Sequence, residues 1–383
     1  MKLPFYPDAQ PPVEIPEPSP PLQQCPYLPD EGLQVAVNVA LYLGQPLLLT
    51  GEPGTGKTQL AYHLAAKLGL GEPLKFEAKS VSTARDLFYI YDALGRFHAA
   101  EATVGVQVGA NLSVRPTIPL SVRPTIPPSV RPTIPPSVRP TIPPSVRPTI
   151  PPSVRPTIRP TIPPSVRPTI RQKRTVDYIT YNALGQAIML TKPKAEVAPY
   201  LPPQFVHSGP KRSVVLIDEI DKAPRDFPND ILNEVEAMYF RIPELDNITI
   251  EADPHYQPIL VITSNSEKSL PDAFLRRCVY YNIPFPDEEH LEKIVDAHLE
   301  NIMPSSNQQS AEVFTFFFTL REPSKGLHKK PSTAELLNWL NVLHGLKESA
   351  HPLKESNIAP TLSLLAKTEA DQKTVLRLFR EFF

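Results

Sequence analysis

The chain has 383 residues, 41% hydrophobic and 21% charged, enough for two domains of ordinary size with a sizeable core. Its formal net charge of −1 hides eight arginines and no acid in residues 113–170, which leaves the remainder near −9. An acidic remainder gives no whole-surface argument for nucleic-acid binding, and Cys25 and Cys278 show no CxxC pair or zinc spacing.

No apolar run reaches the length of a membrane span, and MKLPFYPD does not read as a signal peptide, so the expected compartment is the cytoplasm. The 50 prolines concentrate in residues 1–30 and 113–170, where neither ordinary helix nor central strand can run.

Residues 1–30 read as an extended, proline-rich arm. Residues 31–43 (EGLQVAVNVALYL) have helical apolar spacing. A short buried strand, Leu47–Thr50, leads into GEPGTGKT, and residues 57–69 read as helix. A strand is expected near Leu74–Glu77 and a helix-like segment from Thr83. The hexapeptide SVRPTI then begins at 113, 121, 129, 137, 145, 153 and 165. The eight-residue period of the first six copies fits neither helix nor strand, so 113–170 is expected to be a disordered insertion within one domain. Globular character resumes near Val176. Strands follow at 213–217, 258–263 and 279–283, with a helix over 225–240 between the first two. From Asp287 the pattern is helical, over 287–301, about 309–320, 332–346 and a last piece ending at Phe383. The fold class is therefore α/β, a parallel sheet flanked by helices, followed by a helical region.

The chemistry concentrates in four segments. Gly51-Glu52-Pro53-Gly54-Thr55-Gly56-Lys57-Thr58 matches the P-loop pattern in full. Its glycines let the backbone wrap a phosphate, and the following helix adds the positive end of its dipole. Lys57 supplies a point charge to the outer phosphates of ATP, and Thr58 offers a hydroxyl to Mg²⁺. In Val214-Val215-Leu216-Ile217-Asp218-Glu219 an apolar strand delivers two acids to the carboxyl edge of a sheet, where ligands sit. Asp218 is read as the Mg²⁺ residue and Glu219 as the one that polarises the attacking water. Such a pair is elsewhere a plain surface feature; after a P-loop it has this use. Asn265, directly after the strand PILVIT, could hydrogen-bond the γ-phosphate or the attacking water, or simply form a turn. Arg276 and Arg277 could stabilise transition-state charge as arginine fingers do, or be a solvated or ion-paired basic pair.

In this order the four segments resemble the AAA+ ATPases, and LIDEIDKAPRDFPNDILNEVE is similar to the MoxR-like branch. GEPGTGKT looks like Walker A, VVLIDEIDKAP like Walker B, ITSN carries the sensor 1 asparagine, and LPDAFLRRC looks like the arginine-finger region. The similarity covers about 31–112 and 176–345. It implies an AAA+ core in two parts, 31–112 and 171–286, and a helical lid, 287–383. It also implies a ring, six-membered as a rule, with ATP between subunits. In such a ring Arg277 is the finger that reaches a neighbour's ATP, with Arg276 the second candidate. The implied role is remodelling or maturation of client proteins, often ones carrying a von Willebrand A domain. The family places a sensor 2 arginine early in a lid helix; Ala334 stands there in this chain, and Lys329 or Lys330 just upstream could substitute. Two other readings are a nucleic-acid-directed motor or GTP-using subunit of related fold, and an ATP-switched scaffold with little turnover. Missing DNA-reading modules argue against the first, and the intact Glu219 against the second.

Overall fold

The computed structural model describes residues 27–99, 173–265, 270–298, 308–348 and 359–382. Most of the proline-rich arm and the whole repeat tract lie outside the described residues. One compact unit comprises Met1–Asp92 and Thr175–Phe383, and a second comprises Ala93–Arg174. Within the second, residues 93–99 are helical.

Helix α1 (Glu31–Leu43) starts where Asp30 Oδ1 accepts the Leu33 N–H at 2.8 Å, and it stops at Gly44 in the left-handed region. Strand β1 (Leu47–Gly51) follows, then α2 (Lys57–Lys67) and β2 (Leu74–Glu77). After the short strands β3 (Tyr89–Tyr91) and β4 (Ile179–Tyr181) come α3 (Ala183–Met189) and β5 (Val214–Asp218). A hairpin of β6 (Tyr239–Ile242) and β7 (Ile248–Glu251) precedes β8 (Ile259–Thr263) and β9 (Val279–Ile283). The main sheet is wholly parallel in the order β2-β5-β8-β1-β9. Its central strands are buried apolar runs, as a sheet covered on both faces requires. One face packs α1 and α2 against Leu47, Leu49, Leu216 and Val261. The other buries Leu48, Ile217, Ile262, Phe227 and α3.

Beyond β9 the helices α4 (Glu288–His298), α5 (Gln308–Arg321), α6 (Thr333–Glu348) and α7 (Glu369–Phe382) enclose a separate apolar cluster. Phe314, Phe316, Phe317, Leu336 and Trp339 lie at its centre, and the Trp339 indole N–H donates to Thr361 Oγ1 at 2.9 Å.

The helix expected over 225–240 is broken. Phe227–Asp230 and Leu232–Ala237 form separate short helices, and Tyr239 already belongs to β6. Met238 adopts φ 48, a left-handed residue that ends the helix and turns the chain into the hairpin. Sequence reading also missed that hairpin.

The described chain before and after the insertion meets in one small antiparallel ladder. Tyr89 faces Tyr181, and the Asp92 N–H donates to the Tyr178 carbonyl at 2.9 Å. Replacing residues 113–170 with a short Gly/Ser linker is therefore expected to leave the fold of the flanking segments intact. Circular dichroism and the thermal unfolding midpoint of the shortened chain check this, and loss of cooperative unfolding would make the tract structural.

Gly185 of α3 sits against the backbone of Phe88, where an added Cβ would come within 2.0 Å of the Phe88 carbonyl oxygen. A rigid backbone cannot give way there. Gly185→Ala is expected to cost about 1–3 kcal/mol by overpacking. A thermal unfolding midpoint equal to that of the parent would contradict this packing.

Candidate functional site

The carboxyl ends of β1, β5 and β8 bring the site together, as expected for a parallel sheet. Buried β1 ends at Gly51 (φ 143), where a Cβ would lie 2.6 Å from the Ile283 carbonyl oxygen of β9. Gly54 (φ 83) and Gly56 (φ 85) then turn the chain back, conformations that side-chain-bearing residues rarely adopt. Gly56 caps α2 without any side-chain hydrogen bond, so the first N–H groups of that helix remain for an anion.

Lys57 is 8% exposed, and its ammonium donates to the carbonyls of Gly51 and Glu52, each at 2.9 Å. Burial pushes it below the ordinary lysine range, against the pull of Asp221, Asp218, Glu219 and Glu52. A buried cation whose hydrogen bonds go to neutral carbonyls inside a glycine loop suits an arriving phosphate.

Asp218 is the hub of the second half. Its Oδ1 accepts from Thr58 Oγ1 at 2.9 Å and from Thr263 Oγ1 at 2.7 Å, and Lys75 Nζ lies 2.8 Å from its Oδ2. Burial pushes this carboxyl up, but hydrogen bonds from Lys75, Thr263 and Thr58 more than offset that and hold it below its usual value. A buried, ionised carboxylate beside a threonine hydroxyl is a hard oxygen donor set that fits Mg²⁺. Glu219 follows at φ 56 and ψ 49, a strained left-handed position for a non-glycine residue. Its N–H donates to Thr263 Oγ1 at 2.9 Å, and its carboxylate pairs with Lys222.

Asn265 is exposed just past β8, and its backbone N–H donates to Asp221 Oδ1 at 3.2 Å. Arg276 and Arg277 are not brought to this site. They lie at the amino-terminal edge of the sheet, beside Gly44 and Pro46, with β1 between them and Gly51. A five-residue strand spans about 13 Å or more. Arg277 Nε instead pairs with Glu236 at 2.7 Å, and its Nη1 donates to the Ala273 carbonyl at 3.0 Å.

A cleft opens beside Gly54–Gly56, bounded by Tyr27, His290, His298 and Thr333. The Thr333 hydroxyl is buried and has no hydrogen-bond partner. Buried hydroxyls normally have a hydrogen-bond partner, so this one is free to take one from the cleft it lines. Ala334 also lines it, while Lys329 and Lys330 are exposed. The basic group of the helical region that touches the P-loop is one the sequence reading passed over: Arg321, whose Nη2 donates to Glu52 Oε2 at 2.6 Å. Lys75 and Thr263 were also missed as partners of Asp218; register across the sheet, not spacing along the chain, unites them.

A family model described as "AAA domain (dynein-related subfamily)" matches residues 46–107. That stretch is similar to part of an AAA domain. The match begins just before β1 and takes in the P-loop, α2, β2 and β3, and β5, β8 and β9 complete the five-stranded parallel sheet of this α/β P-loop AAA+ fold. No curated protein matches the chain closely enough to report. No helix among the described residues is long and apolar enough to cross a membrane.

Proposed function

We propose that this AAA+ chain is a MoxR-like ATPase that hydrolyses ATP with Mg²⁺ and uses the cycle to remodel or mature partner proteins. The observation that carries the ATPase reading is the union of the buried Lys57 with the Thr58–Asp218 hydrogen bond at the mouth of one parallel sheet. Lys57 and the loop N–H groups bind the β- and γ-phosphates, and Gly51, Glu52, Pro53, Gly54, Thr55 and Gly56 supply the backbone cradle. Thr58 and Asp218 would hold Mg²⁺, which would supply positive charge against that developing on the phosphates. Glu219 leaves Lys222 to orient the attacking water, and Asn265 positions that water or the γ-phosphate. The nucleoside lies in the cleft at Thr333.

Arg277 is too far from its own P-loop to serve it, which supports action at a neighbour's nucleotide in a ring of six. Release of phosphate from ATP, dependent on added Mg²⁺ and compared with GTP, tests the chemistry. Preference for GTP, or no turnover of either, would overturn it. Clients, including von Willebrand A domain proteins, are sought by co-purification with the Glu219→Gln chain held in its ATP state. An empty capture across ATP and ADP conditions would count against the remodelling role. A second reading, an ATP-switched scaffold with slow turnover, is favoured by one observation: the Glu219 carboxylate is paired with Lys222.

A further inference from the structure

Arg321 ends α5, and its guanidinium is held on three sides by different chemistry. Its Cζ stands 3.3 Å from the centroid of the Phe285 ring, Nη1 donates to the Pro331 carbonyl, and Nη2 donates to Glu52 Oε2 at 2.6 Å. Phe285 packs against the helical cluster and Pro331 lies two residues before α6, so two of the three contacts come from Arg321's own neighbourhood. Only Glu52 belongs to the P-loop.

The two charged partners are unequal. The Arg321 side chain is 9% exposed and the Glu52 side chain 49%. Glu52 is half-exposed, so its carboxylate can be solvated once another anion takes its place on Arg321. Arg321 cannot be left unpaired in that way, since a nearly buried charge must keep a partner of opposite sign. A second contact keeps the helical region on the loop whichever way Glu52 turns: a Cβ on Gly54 would lie 2.6 Å from the Ser332 Cβ.

We infer that Arg321 and Glu52 form a charge-exchange latch. Glu52 holds Arg321 while the phosphate cradle is empty, and the terminal phosphate of a bound nucleoside triphosphate replaces Glu52 as the anion on Arg321. This rests on the loop being a nucleoside triphosphate site, as proposed above. A guanidinium suits the exchange because its planar fork meets carboxylate and phosphate oxygens with the same geometry. A diphosphate, one phosphate shorter, leaves Arg321 on Glu52. The helical region thereby distinguishes ATP from ADP through a single side chain, and Glu52 competes with the nucleotide for it.

The test measures affinities of the full chain for fluorescent ATP and ADP analogues with Mg²⁺, in the parent and in Glu52→Gln, Arg321→Ala and Arg321→Lys, with amide hydrogen exchange of residues 308–321 as a second readout. Glu52→Gln is expected to tighten ATP by about fivefold or more, the lower range of coupling between linked sites, and to leave ADP within about twofold. Arg321→Ala is expected to erase the preference for ATP and to speed exchange along α5 without nucleotide, and Arg321→Lys to restore part of the preference. Equal effects on ATP and ADP, or weaker ATP binding in Glu52→Gln, would overturn the latch. Should Arg321→Ala fail to fold, Glu52→Gln decides alone, since that side chain is half-exposed. A parent chain that binds neither analogue would instead remove the nucleotide reading on which the latch stands.

Discussion

Lys57→Ala is expected to abolish nucleotide binding, whereas Glu219→Gln keeps binding and loses hydrolysis. The two residues face different parts of the problem. Lys57 is buried and gives its ammonium to the Gly51 and Glu52 carbonyls, inside the loop that would enclose the outer phosphates. Removing it leaves those carbonyls facing a polyanion with no charge between them. Glu219 sits one residue beyond Asp218, outside that loop, and its backbone N–H is anchored on Thr263. The amide that Glu219→Gln introduces retains the shape and hydrogen-bonding capacity of the side chain but not the charge that polarises water. A positioned general base contributes about 10²–10⁴ in rate, so the hydrolysis loss should be of that order. Titration with a fluorescent nucleotide and a phosphate-release assay separate the two effects. Equal loss of binding in both variants would remove Glu219 from the catalytic role.

Arg277→Ala is expected to cost rate far more than affinity, and the loss should be repairable by a second subunit. The guanidinium lies at the amino-terminal edge of the sheet, with the length of β1 between it and the P-loop of the same chain. Its present partner, Glu236, does not hold it firmly: the two side chains are 41% and 60% exposed, and such pairs are worth at most about 1 kcal/mol. A finger supplied across an interface is worth about 10³–10⁵ in rate, which easily exceeds the cost of breaking that pair. Mixing provides the decisive measurement. An Arg277→Ala subunit retains Lys57 and Glu219, and a Glu219→Gln neighbour retains its arginine, so their shared site is complete. Activity should reappear in mixtures of two inactive chains. Mixtures silent at every ratio, or a fully active monomer, would exclude action in trans.

Local order and the P-loop were legible in the sequence because each rests on neighbours along the chain. Asp30 and Gly44 bracket α1 through contacts no more than five residues long, and both ends fall where the apolar spacing of EGLQVAVNVALYL puts them. The run Leu47–Thr50 before GEPGTGKT reads as a buried strand by composition alone, and the glycines at 54 and 56 announce the positive φ values they adopt. The acids after VVLI were legible for the same reason: a strand that is apolar throughout must deliver its first charges at its end.

What the tertiary structure decided are the contacts that cross the sheet or join distant segments. Asp218 meets Lys75 because β2 lies beside β5, and meets Thr263 because β8 does, although those residues are 143 and 45 positions away in the chain. The helix expected over 225–240 failed because Met238 takes a left-handed conformation that pairs β6 with β7, a demand of the hairpin and not of local propensity. Arg321 carried no signal at all. It is one arginine at the end of a helix, and only the packing of α5 and α6 over the P-loop sets it against Glu52, 269 residues earlier. Spacing along a chain encodes periodicity and caps, which act over one or two turns. The partners of a buried charge are chosen by which elements fold together, and that choice is made by the core.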